Sequence, residues 1–163
     1  MAAMVAYDHG DVPRIQHFVK VHDFAAAIGR LEGIDGQTLG VLEAAAIVHD
    51  IGIHVSERKY GSSAGHYQEL EGPAEAHILL EKVGGFTEAE IDRICWLVGH
   101  HHTYADIQGT DYQILVEADF LVNLYEDGLS HEAAIAARKR IFRTPSAIRI
   151  LDEMFGLEND NQL

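Results

Sequence analysis

The chain has 163 residues, 47% of them hydrophobic, which is enough to bury one core without covalent staples. Cys95 is its one cysteine, so an intramolecular disulfide is excluded. Lys and Arg number 12 against 26 Asp and Glu, a formal charge of −14, which excludes a broad cationic surface for duplex nucleic acid.

Residues 1–10 lack a basic segment followed by a long apolar run, and no segment reads as long enough to cross a bilayer. The expectation is a soluble, cytoplasmic protein that does not engage a membrane. Asp11 and Pro13 signal a helix start, because Asp caps free amides and Pro is tolerated in the first turn. That helix is expected to run to about Arg30, with His17, Val21, Phe24 and Ile28 on one face and His22 and Asp23 off it. Asp35 caps a second helix over residues 37–54, in which Leu42, Ala45, Ala46 and His49 share a face, Asp50 is adjacent and Gly52 could end the helix.

Residues 54–72 read as the main irregular stretch, bordering the mouth of a site and carrying the cations Arg58 and Lys59. The next helix has the stripe Ala76, Leu79, Leu80, Val83, flanked by His77, and ends at the Gly84-Gly85 turn. Thr87 with Glu90 forms a capping-box pattern for the helix that leads to the histidine triplet. Its stripe Ile91, Ile94, Cys95, Val98 projects onto His101 and His102, with Gly99 loosening the last turn. Cys95, beside Trp96, reads as a packed thiol. Asp111 starts a helix whose core stripe is Leu115, Ala118, Asp119, Val122. Two shorter helices follow, at residues 132–141 after Ser130 and from Thr144-Pro145 to Phe155, and the polar tail from residue 158 reads as frayed. No strand pattern and no glycine-rich phosphate loop occurs. The expected fold is all-α, one compact helical bundle over residues 1–163. Its core spans about 13–126, and the helices at about 130–156 close the bundle or, alternatively, offer a homodimer face.

His17, His49, Asp50 and Asp119 stand out because imidazoles and carboxylates in apolar stripes are costly unless something pairs with them. Each alone reads as a hydrogen-bonded core group. Together, on separate helices, they point to a divalent cation of the kind that takes His and Asp donors: Mn, Fe, Co, Ni or Zn, with Mg also admissible for carboxylates.

The order His, His-Asp, His, Asp resembles the HD superfamily of metal-dependent phosphohydrolases from residue 13 to about 126. The resemblance rests on RIQHFVKVHDFAAAIG (14–29), EAAAIVHDIG (43–52), LVGHHHTY (97–104) and ILVEADFLVN (114–123). It implies that His17, His49, Asp50 and Asp119 hold one metal ion, with His101 or a neighbour near a substrate phosphate or a second ion. Two-metal members often carry a further histidine where this chain has Gln68, so one ion is expected. His66, Glu69, Glu71 or the 100–102 triplet are the alternatives for a second.

The implied function is hydrolysis of a phosphate ester of a nucleotide or other small phosphorylated metabolite. Asp50 would bind metal with one oxygen and take a proton with the other, while His101 or His102 stabilises an oxygen or protonates the leaving group. Arg58, Lys59 and His100 are the candidate substrate contacts. Two other readings remain at this stage. One is a non-catalytic domain that binds or senses a ligand; the other is a two-iron, oxygen-dependent enzyme, against which Gln68 weighs.

Overall fold

The computed structural model describes residues 1–157; the polar tail lies outside the described residues. They form helices α1 (Ala2–Tyr7), α2 (Val12–Leu31), α3 (Gly36–Val48), α4 (Ile53–Tyr60), α5 (Gly65–Val83), α6 (Glu88–Val98), α7 (Thr110–Glu126), α8 (His131–Arg140) and α9 (Pro145–Phe155). No strand occurs among the described residues, and the fold is all-α.

Most helix starts are set by local chemistry. Asp11 accepts from the Arg14 amide, and Asp35 accepts from those of Gln37 and Thr38 at 3.0 Å each. Thr87 and Glu90 complete a reciprocal capping box, and Ser130 and Thr144 cap α8 and α9. Asp111 does not cap α7 as its sequence position suggests. Gly109 is the N-cap there, and the Asp111 carboxylate instead takes a bidentate pair from Arg93, Nε at 2.8 Å and Nη2 at 2.7 Å.

The centre of the bundle is α7, with 11 of its 17 residues buried, mutually packed with α2 and α3. A helix apolar on most sides has to sit inside, which is why Ile114, Leu115, Ala118, Leu121 and Val122 meet Val21, Ala25 and Ile28 of α2 and Leu42, Ala45 and Ala46 of α3 in one core. The α5–α6 pair leans on α3 through α6, α4 lies on α5, and α8 and α9 pack on each other and on α7.

Three expectations need correction. Residues 54–72 are helical in α4 and from Gly65 onward in α5, leaving only 61–64 as a connection, because α4 has enough apolar residues (Ile53, Val55) to dock on α5. The second helix stops at Val48 rather than running to 54. Residues 49–52 form successive tight turns, with Ile51 N on Val48 O and Ile53 N on Asp50 O, both at 3.0 Å. The stretch Gly36–Tyr60 also has the length and apolar composition of a membrane span, with mean hydropathy 1.3, contrary to the expectation that no segment comes close; 61% of that window is buried in this fold.

Gly52 is required where the turn meets α5. A Cβ there would lie 2.7 Å from the Gln68 carbonyl oxygen and 2.8 Å from the Gly72 nitrogen, both rigid backbone. This close crossing seats the His49-Asp50 turn against α5.

The C-terminal helices are tied to the core by a carboxylate that sequence patterning does not single out. Glu117 of α7 is fully buried, so desolvation pushes its pKa up, while the hydrogen bonds it accepts pull the other way. It accepts from Thr144 N at 2.9 Å, Thr144 Oγ1 and Arg143 N at 2.5 Å, and Gln113 Nε2 at 2.8 Å, while Glu32 of α2 accepts from Ser146 N at 2.8 Å. Two carboxylates therefore serve the amide-rich start of α9. Glu117→Ala strands these buried donors and should cost about 3 kcal/mol in urea unfolding; a loss under about 1 kcal/mol would show that water replaces the carboxylate.

Candidate metal centre

Four elements deliver one polar cluster into the apolar interior. His17 comes from the middle of α2, His49 and Asp50 from the turn after α3, Asp119 from the middle of α7, and His101 from the turn that follows α6. His49 and His101 are fully buried, and His17 and Asp119 nearly so.

Four donor atoms converge. His17 Nε2 is 3.2 Å from His49 Nε2, 3.2 Å from Asp119 Oδ1 and 3.6 Å from Asp50 Oδ2. His49 Nε2 is 3.5 Å from Asp50 Oδ2 and 3.6 Å from Asp119 Oδ1. Donors about 2.1 Å from a shared cation stand roughly 3.0–3.4 Å apart at right-angled to tetrahedral geometry, so these spacings nearly match a coordination shell.

The other face of each imidazole settles its tautomer. His17 Nδ1 lies 2.7 Å from Glu126 Oε2, His49 Nδ1 2.8 Å from the Ala46 carbonyl and His101 Nδ1 2.7 Å from the Val98 carbonyl. Carbonyls and carboxylates only accept, so each Nδ1 carries the proton and each Nε2 presents a lone pair inward. Metal-binding histidines are commonly held in this way. Asp119 is oriented likewise, its Oδ1 accepting from Asn123 Nδ2 at 2.8 Å.

Electrostatics show the same demand for positive charge. Burial alone would raise Asp50 and Asp119, yet His49 and His101 hold the first, and His17 and His49 the second, well below the usual carboxylate range. Burial likewise opposes charging His49, but the two carboxylates outweigh it and raise it to about 9; His17 is raised in the same sense, chiefly by Asp119. Without a cation the cluster gathers protons. A divalent cation would release them and meet both carboxylates at once.

Asp50 extends the site. Its Oδ1 is 3.4 Å from His101 Nε2, a buried nitrogen with no hydrogen-bond partner, and Asp50, His101 and His102 form a second set of donors. With His101 Nδ1 already protonated, two electron-pair donors face each other across that gap, so a proton or a cation belongs between them. His102 Nε2 is also buried and unpartnered, and burial followed by the neighbouring His101 lowers its pKa to about 4, which keeps it neutral.

The triplet lies in a turn rather than on the helix. Tyr112 of α7 pins that turn by donating its hydroxyl to the His100 carbonyl at 2.6 Å and to the Thr103 carbonyl. His100 turns the other way, its ring stacked 4.1 Å from Trp96 and its Nδ1 2.6 Å from the Trp96 carbonyl, so the structure does not bring it to the cluster. Lys59 is held by Glu71 at 2.5 Å, and Arg58 lies within electrostatic reach of Tyr7; neither touches the donor cluster among the described residues. All three of these expected substrate contacts thus lie apart from the donor cluster.

Of the groups considered for a second ion, His101 and His102 keep unpartnered Nε2 atoms beside Asp50, whereas Glu69, Glu71 and His66 are engaged elsewhere. Glu69 accepts from His102 N and Thr103 Oγ1, Glu71 from Lys59 and Tyr60, and exposed His66 packs on Tyr67. Gln68 donates Nε2 to the Ser63 carbonyl at 2.8 Å and leaves a buried Oε1 without a partner. Sequence reasoning missed Asn123 and Glu126. The available signal was their spacing of four and seven residues after Asp119, which keeps them on its face of α7.

Residues 14–138 match the HD domain family, and the chain belongs to it. Most members of that family are metal-dependent hydrolases, and the two His/Asp groups here could hold a metal ion. No curated protein and no solved structure gives a significant match.

Glu126 both orients His17 and is itself held by Lys20 at 2.5 Å. Glu126→Ala should weaken metal binding by about 10–100-fold, read by competition with a chromogenic chelator. Unchanged affinity would remove Glu126 from the support of the site.

Proposed function

We propose that this protein is a metal-dependent phosphohydrolase acting on a small phosphorylated metabolite, such as a nucleotide. One divalent cation is held by His17, His49, Asp50 and Asp119. The observation that carries the reading is the set of three imidazoles with protonated Nδ1 atoms turned outward and Nε2 lone pairs turned onto buried Asp119 and half-buried Asp50.

When bound, the cation supplies an activated water and neutralises charge on a phosphoryl oxygen. The chain contributes the rest. Asp50 divides its oxygens, Oδ2 toward His17 and His49 and Oδ1 toward His101, so Oδ1 can accept the proton of an attacking water. His101 can hold a proton at Nε2 against Asp50 and pass it to the departing oxygen. His102, kept neutral by burial, is suited to hydrogen-bond a phosphoryl oxygen and not to act as the acid. Buried apolar neighbours, Ile51, Val98 and Val122, keep the donor side of the site dry, which strengthens each of these interactions.

The test is elemental analysis of protein purified without chelator, with phosphate release measured on nucleotides and other phosphate esters with added Mn, Co, Ni, Mg or Zn. About one ion per chain and metal-dependent turnover are expected. His49→Ala should lose the ion and about three orders of magnitude in turnover, as the loss of several kcal/mol of transition-state stabilisation implies. Full occupancy in His49→Ala would overturn the ligand assignment, and a loaded protein that hydrolyses none of the esters would point to a binding or sensing domain.

A further inference from the structure

A polar cavity of about 300 Å³ opens beside the centre, between the 103–109 connection, the start of α7 and the end of α8. Tyr104, Asp106, Gln113, Arg140 and Arg143 contribute to its wall. Its volume is at the low end of small-molecule sites, roughly 300–1,000 Å³, and ample for a phosphate or carboxylate group.

Tyr104 links this cavity to the metal centre. Its hydroxyl is 3.3 Å from His102 Nδ1, and its ring packs edge-on against Phe120, the residue after Asp119, with centroids 5.1 Å apart. One side chain thus borders both spaces.

The charge in the cavity is positive and part of it is fixed. Arg143 donates Nη1 to the carbonyls of Phe142 at 2.7 Å and Lys139 at 3.2 Å, and Nη2 to that of Arg140 at 2.7 Å, which holds its guanidinium in place. Gln113 is fixed by Glu117 and the Ile141 carbonyl. The Arg140 guanidinium has no hydrogen-bond or ion-pair partner among the described residues, so it is available to a ligand. Asp106 is the one carboxylate among the cavity residues, against two guanidiniums.

This concentration of charge runs against the composition. Of the chain's 12 Lys and Arg, five (Arg138, Lys139, Arg140, Arg143 and Arg149) fall in residues 138–149, in a molecule of formal charge −14. Arg138 is used by Asp152 in a bidentate pair. Arg140 and Arg143 are the pair that faces the cavity.

We infer that this cavity is a second anion subsite, taking a phosphate or carboxylate borne by the alcohol portion of the substrate while the scissile phosphate lies at the metal centre. The inference rests on the phosphohydrolase reading and narrows it to esters with two anionic groups. Arg140 gives charge-assisted hydrogen bonds to the distal anion, Arg143 supplies fixed positive potential, and Tyr104 separates the two groups. The arginines act on binding and leave the chemistry to the centre.

Two measurements decide it. The first needs no turnover: inorganic phosphate is titrated into chelator-stripped wild-type, Asp50→Ala and Arg140→Ala proteins, reading amide shifts at residues 104–108 and 140–143. Saturable shifts are expected in wild type and Asp50→Ala, weakened at least about tenfold in Arg140→Ala. No saturation, or undiminished binding in Arg140→Ala, would overturn the subsite. Arg140 is exposed, so the substitution leaves the core intact.

The second compares a bisphosphate, a phosphorylated hydroxy acid and a simple alkyl phosphate as substrates. Wild type should prefer the first two, and Arg140→Ala should lose about tenfold of that preference through KM with little change in kcat. A preference that survives the substitution would refute the role of Arg140. A preference for the bisphosphate alone would identify the distal group as phosphate. Absence of turnover on every ester would instead sink the phosphohydrolase reading, with the phosphate titration still deciding whether the cavity binds anions.

Discussion

Two carboxylates and three imidazoles share one buried space, and the arrangement of helices around it follows from the need to compensate them. An unpaired buried carboxylate costs several kcal/mol, so Asp119 at the core, with half-buried Asp50 beside it, needs positive charge within reach. Without a cation that charge comes from protons on His17 of α2 and His49 in the turn after α3, while His101, in the turn after α6, turns its Nε2 to Asp50. The cluster therefore cross-links the three mutually packed helices and the neighbouring α5–α6 pair. A bound divalent cation would replace partial protonation with one strong interaction.

The supporting contacts matter as much as the donors. Each imidazole is turned by an acceptor on its outer nitrogen, and two of those acceptors are backbone carbonyls three residues back in the chain, Ala46 for His49 and Val98 for His101. Local helix-end geometry thus aims these two rings without extra side chains. His17, in mid-helix, has no free carbonyl near it and borrows Glu126 from α7. The Gly52 crossing then sets Asp50 at a fixed depth against α5.

A second device fixes the far side of the molecule. Glu117, two residues before Asp119, serves the start of α9, so a single stretch of α7 organises both the metal centre and the docking of the C-terminal helices. The cavity by Tyr104 lies where these two tasks meet, which is how Arg140 at the end of α8 and Arg143 just after it come to border a site whose donors lie earlier in the chain.

Helical periodicity was enough to choose His17, His49 and Asp119 over His22 and Asp23, because a polar residue in an apolar stripe is conspicuous in one dimension. Capping residues marked most helix starts for the same reason: their partners lie within four residues. Other features depend on partners far away in sequence. Asp111 has the look of a cap but belongs to Arg93, Lys59 has the look of a phosphate ligand but is held by Glu71, and His100 shares a triplet with His101 yet stacks on Trp96. Glu117 gave no sign of its role, and Asn123 and Glu126 only the sign of their spacing after Asp119, since an acid or amide on a helix is ordinary until its partner is known. The sequence by itself determined an all-α chain of the HD domain family and the side chains able to hold a cation, because burial pattern and donor type are local properties. Only the tertiary structure decided which nitrogen faces inward, which cations remain available and where the arginine-lined cavity opens, because each depends on contacts between segments distant in the chain.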